Sequence, residues 1–138
     1  MSQARTDALA AYEESTHDPL VAVELELPYG RHFTAVARLV AAGLGARLGL
    51  HVDRIDRLKL AIDTALRQPQ AGDRLTLALT PTHDDLEVEI GPLAAAGVDA
   101  RGLEDVLSTL VDDIRTRRSG VDVWIALRVS RPDGVAGR

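Results

Sequence analysis

Apolar and polar positions change period several times along this chain, and each change marks an element. Residues 21–27 alternate apolar with acidic side chains, which puts Val21, Val23, Leu25 and Leu27 on one face of a predicted strand. After Pro28-Tyr29-Gly30 the period lengthens to that of a helix, predicted over residues 31–48. Phe33, Val36, Ala37, Val40, Leu44 and Leu48 then face the core, and Gly49 terminates the helix. The opposite face, Thr34, Ala35, Arg38, Ala41, Ala42 and Gly45, forms a shallow surface around one arginine that a partner could approach closely. A second helix runs from an Asp53 N-cap to its stop at Pro69. Ile55, Leu58, Ile62, Ala65 and Leu66 make its buried stripe, and Asp56, Lys59, Asp63 and Arg67 a surface stripe spaced for weak ion pairs. Its third face holds Leu60, Ala61, Thr64 and Gln68, neither apolar nor charged. Core and solvent claim two of these faces, so function is sought on the third.

Further along, Leu75, Leu77 and Leu79 alternate with polar or small residues, a turn spans residues 81–85, and Leu86, Val88 and Ile90 alternate with glutamates. That pattern is a hairpin. Residues 91–100 are expected to form an irregular loop, and a third helix starts at Leu103, with apolar positions 103, 106, 107, 110, 111 and 114. The last strand places Val121, Val123, Ile125, Leu127 and Val129 on one face and Asp122, Trp124, Ala126 and Arg128 on the other. Residues 1–19 and 131–138 are expected as tails around one domain, 20–130. Strands in hairpins with helices grouped over one face predict an α+β two-layer sandwich, its sheet mixed but mainly antiparallel. Trp124, the only tryptophan, then falls on the open face of the sheet beside Ala78 and Ala126. An apolar patch of that kind marks an interface, here between two copies of the chain. The alternative is a tail segment around Leu9 and Tyr12 folded over Trp124.

Composition narrows the classes. Hydrophobic residues make up 46% of 138 and aromatic ones 3%, so the core is aliphatic. A net charge of −5 argues against a phosphate-backbone binder. The absence of cysteine excludes disulfides and thiolate metal sites and fits a reducing cytosol. No long uncharged apolar run is present, so a cytoplasmic protein without a membrane span is expected. His17, His32, His51 and His83 are too scattered to suggest a metal site, and none of Ser15, Ser108, Ser119 and Ser130 lies in a nucleophile-elbow context. The basic turn Arg115, Arg117 and Arg118 and the pair Asp112-Asp113 are expected to be solvated.

The segment Ala61-Ile62-Asp63-Thr64-Ala65-Leu66-Arg67-Gln68 resembles the N-box of the GHKL ATPase/kinase superfamily, Ala-Val-Asp-Glu-Ala-x-x-Asn. With the lead-in from Leu25-Glu-Leu-Pro through Arg38-Leu-Val to Ile55-Asp-Arg-Leu-Lys-Leu, it is similar to the serine-kinase anti-sigma factors of bacteria, over residues 21–129. In that family the N-box glutamate is the general base and the asparagine holds magnesium; the matching positions here are Thr64 and Gln68. Threonine cannot accept a proton near neutral pH, and losing a positioned base costs about 10²–10⁴ in rate. Glutamine sets its oxygen one methylene further out, and magnesium tolerates misplaced ligands poorly. The family's adenine-binding Asp-x-Gly-x-Gly is replaced by Ile90-Gly91-Pro92-Leu93-Ala94-Ala95-Ala96-Gly97, and its glycine-rich lid is reduced to Gly97 and Gly102.

The resemblance therefore implies a remnant nucleotide site, Asp63, Thr64, Gln68, Gly91, Gly97 and Gly102, with no catalytic residue and no bound ATP or magnesium. It implies a partner surface at Arg38, with Arg31, Thr34 and Ala42 around it, for a sigma factor or a STAS-type antagonist in partner switching. It also implies a homodimer through the sheet. The alternative function is a divergent ATP-dependent protein-serine kinase.

Overall fold

The computed structural model describes residues 21–28 and 30–132. The expected tail 1–19, with Leu9 and Tyr12, and residues 133–138 of the other lie outside them, whereas Arg131, expected in that tail, donates its amide to the Asp84 carbonyl at 2.8 Å. The chain runs β1 (Val23–Pro28), α1 (Arg31–Arg47), α2 (Val52–Leu66), β2 (Arg74–Pro81), β3 (Asp85–Ala94), a 3₁₀ turn (Ala95–Gly97), α3 (Ala100–Leu107), β4 (Asp113–Ser119) and β5 (Asp122–Ser130). The strands form one sheet in the order β1-β2-β3-β5-β4. All four pairings are antiparallel, so the mainly antiparallel sheet has no parallel member among these strands. The architecture is α+β, with the helices over one face.

Alternation along the strands sets the register. Leu25 pairs Leu77, Leu77 pairs Ile90, and Ile90 pairs Ile125. Leu79, Val88 and Leu127 make the next row, and every member of both rows on β2, β3 and β5 is at most 2% exposed. Each such side chain contributes about 1.5–3 kcal/mol by leaving water, and a one-residue slip would turn them all to the other face. Strand β3 continues through Gly91 and Pro92 to Ala94, past an irregularity between Ile90 and Leu93. The expected loop at 91–100 is thus four residues shorter at its start. The third helix is also shorter than its apolar stripe, because Ile114 belongs to β4.

Helix α1 is rotated from its predicted orientation. Its buried residues are Ala37, Ala41, Gly45 and Leu48, whereas Phe33 is 37%, Val36 44% and Leu39 74% exposed. Ala41 and Gly45, expected on the open face, are the contact with α2. A Cβ on Gly45 would lie 3.2 Å from Ile55 Cγ1, so small side chains let the two helices close on each other. Leu48 and Leu50 seal the end of that contact, and Gly49 turns the chain at φ 83°. The N-cap of α2 is His51, whose Nδ1 accepts from the Asp53 amide at 3.3 Å. Asp53 sits in the first turn instead, where its charge favours the helix dipole. Ala61, placed by sequence on the functional face, is fully buried.

No described helix is long and apolar enough to cross a membrane. The sheet's other face carries Glu24, Ala78, Glu89, Ala126 and Arg115 in one row. Trp124 lies on this face half-buried rather than free in water. A Cβ on Gly91 would fall 2.5 Å from Trp124 Cδ2, so the indole rests on bare backbone.

Candidate functional site

Two surfaces compete for the site, one on each flank of α2. The first is the N-box face. Thr64 donates its hydroxyl to the Leu60 carbonyl at 2.8 Å, and Gln68 donates its Nε2 to the Thr64 carbonyl at 3.2 Å. Both side chains bond to their own helix. The neighbouring Asp63 is 8% exposed and receives the Arg67 guanidinium, so it is a buried, paired carboxylate and not a member of a solvated stripe.

Of the three glycines of the remnant site, Gly97 lies against Pro69, directly after Gln68, whereas Gly91 lies elsewhere. Gly91 backs Trp124 on the opposite face of the sheet. A Cβ on Gly97 would meet Pro69 Cγ at 2.7 Å, and one on Gly102 would meet Asp99 Oδ2 at 2.6 Å. Asp99 is the N-cap of α3 and accepts from the Gly102 amide at 3.2 Å. Each glycine therefore has a packing role within the chain.

The second surface is a cleft of about 510 Å³ between α1 and α2, lined by Gly30, Thr34, Arg38, Asp63, Leu66, Arg67 and Gln70. It brings Thr34 and Arg38 from the expected partner surface together with Asp63 from the expected nucleotide site. Ala42 is half-buried outside this lining, and the side chain of Arg31 lies outside what is described. Arg67 and Gln70 are members that sequence reasoning missed. Arg67 had a signal in its i, i+4 spacing from Asp63; Gln70, beyond the helix-ending Pro69, had none. Two guanidiniums against one carboxylate make the cleft cationic within an acidic chain. Arg38 is exposed, and no ion pair to it occurs among the described residues.

Two other clusters are largely exposed, as expected, but each has a member tied to another element. Asp112 accepts from Arg54 Nη1 and from the Ser130 amide, each at 2.7 Å, and so ties α2 to the end of β5. The hydrogen bond from Arg54 is the main reason its carboxyl titrates below the usual aspartate value. Arg117 reaches Glu89 at 3.4 Å and stacks over Trp124. No group of three or more potential metal ligands occurs among the described residues.

No protein-family model matches the chain, and no curated protein matches it. Among solved structures it matches the RsbU and RsbW domains of Rv1364c from Mycobacterium tuberculosis, at a TM-score of 0.67 and 15% identity. The match covers 83% of this chain and 33% of that one, so this chain spans about a third of its neighbour. At that identity the likeness is one of fold, helices over one face of a five-stranded antiparallel sheet.

Proposed function

We propose that this protein is a non-catalytic regulator that binds other proteins, in the manner of anti-sigma factors that hold a sigma factor or a STAS-type antagonist. The observation that carries the reading is a contrast across α2. On one flank the base and metal-ligand positions, Thr64 and Gln68, are occupied by side chains bonded to their own helix. On the other, Arg38 has no ion-pair partner among the described residues and lines an open cationic cleft. A fold shared with a structure that includes an RsbW domain supports the anti-sigma class. The competing reading, a divergent protein-serine kinase, needs a proton acceptor that Thr64 cannot supply.

The active form in this reading is a cytosolic homodimer built on the open sheet face. Ala78 and Ala126 flank Glu89 there, next to Trp124. Glu24, Glu26, Asp85, Glu87 and Glu89 outnumber Arg74 on the β1–β3 half, and Arg115, Arg117 and Arg128 outnumber Asp113 and Asp122 on the β5–β4 half. A two-fold axis laying one half over the other copy's opposite half matches unlike charges. The test of the function is capture from a bacterial lysate with mass-spectrometric identification, with and without ATP and magnesium. A sigma factor or STAS protein retained equally in both conditions is expected; capture that requires ATP would overturn the reading.

A further inference from the structure

Gly43 and Gly45 lie two residues apart on α1 and have different explanations. Bare backbone at Gly45 admits Ile55 and Leu50, whereas a Cβ on Gly43 would meet nothing within 4 Å. Glycine inside a helix is less favourable than alanine, and no contact among the described residues offsets this at Gly43. The face around it is apolar and open. Leu39 is 74% and Val36 44% exposed, unusual for large aliphatic side chains. The residues around Leu39 at i−4, i+3, i+4 and i+7 are Ala35, Ala42, Gly43 and Ala46. One aliphatic knob ringed by low positions is the relief onto which a second helix packs closely.

Charge selects the occupant. Helix α1 carries Arg31, Arg38 and Arg47 and no carboxylate, in a chain of net charge −5. Two copies of this face would oppose like charges, so the partner is not a second copy. We propose that the outer face of α1 docks an acidic amphipathic helix. Its aliphatic side chains seat around Leu39 and over Gly43, and a flanking carboxylate meets Arg38. This deepens the reading of the protein as a partner-binding regulator and rests on it. Of the expected small-residue face, Ala41 and Gly45 are buried, whereas Ala35, Arg38 and Ala42 border this docking surface.

The probe is a synthetic helical peptide with leucines at heptad spacing and glutamates elsewhere; the control has lysines in place of the glutamates. Binding is followed by anisotropy and by amide shifts of the labelled protein. The acidic peptide binds the wild type, with shifts centred on residues 35–46, and the lysine peptide does not bind. Gly43→Gln and Leu39→Glu each weaken binding by about tenfold or more, the scale of one lost central contact. Gly43→Ala keeps or raises the melting temperature. Equal binding of both peptides, shifts on the sheet or nowhere, unweakened binding by Gly43→Gln, or a lower melting temperature for Gly43→Ala would each overturn the proposal. Peptide docking without capture of any sigma-type or STAS protein overturns the regulator's identity and leaves the docking chemistry standing. Capture of such a protein with affinity untouched by Gly43→Gln does the reverse.

Discussion

Gln68, just past the end of α2, donates its side-chain amide to the carbonyl of Thr64 in the helix's last turn, at 3.2 Å. That bond joins the two positions where phosphoryl transfer would need a base and a magnesium ligand. The expected outcome is that no phosphate is transferred from labelled ATP, with magnesium, to a co-purified STAS protein. Thr64→Glu combined with Gln68→Asn restores nothing, because the carboxylate for adenine is also missing. Label on a serine of the partner, from the wild type or the double variant, refutes this.

Arg38→Glu puts a carboxylate beside Asp63 in the α1–α2 cleft and removes its unpaired cation. Partner affinity should fall by about tenfold or more, as for a contact at the centre of an interface. Folding stability should move by no more than ~0.5 kcal/mol, since the side chain is exposed and unpaired. Calorimetry of binding and thermal melting of the same sample give both numbers; unchanged affinity returns Arg38 to the role of a solvated helix residue.

The Asp112 carboxylate makes stability depend on pH in a defined direction. Arg54 and the Ser130 amide favour its ionised form in the fold, so its folded value lies below its unfolded one. The stabilisation is therefore present above the unfolded value, near 3.9 for aspartate, and is lost as pH falls through the folded value. Asp112→Asn should lower the melting temperature at neutral pH and bring the variant closer to the wild type at about pH 3, below the ordinary aspartate value. Parallel melting curves for the two proteins over that range would count against this role.

Arg117 lies with its guanidinium carbon 5.6 Å from the centre of the Trp124 ring, and the indole rests on Gly91. If this platform is the dimer contact, Trp124→Glu yields a folded monomer by light scattering with the helix-side core intact. The wild type remains dimeric at micromolar concentration and loosens as salt screens the opposed glutamates and arginines. A wild type that is monomeric at high micromolar concentration removes the dimer from the proposed function.

By itself the chain determined β1, β2, β3 and β5, because a period of two puts whole rows of aliphatic side chains on one face; β4, with Ile114 as its one aliphatic residue, carries no such pattern. Leu75, Leu77, Leu79, Leu86, Val88 and Ile90 share one face, but registers two residues apart would all bury them, and the observed pairing of Leu77 with Ile90 and Leu79 with Val88 was set by the fold. The chain also determined the chemistry missing at Thr64 and Gln68, since residue identity alone decides whether a group can take a proton. The face presented by α1 was decided in three dimensions. Alanine and glycine carry little hydropathy, so Phe33 and Val36 dominate the pattern, yet they are exposed while Ala41 and Gly45 are buried, Gly45 by close approach to Ile55 of α2. The α2 cap was likewise settled by where the chain leaves Gly49, which brings His51 rather than Asp53 to the helix start. Asp112 became a structural tie only because the fold carries Arg54, 58 residues away, to within 2.7 Å of it. Local periodicity cannot encode such contacts, because they depend on which elements the core brings side by side.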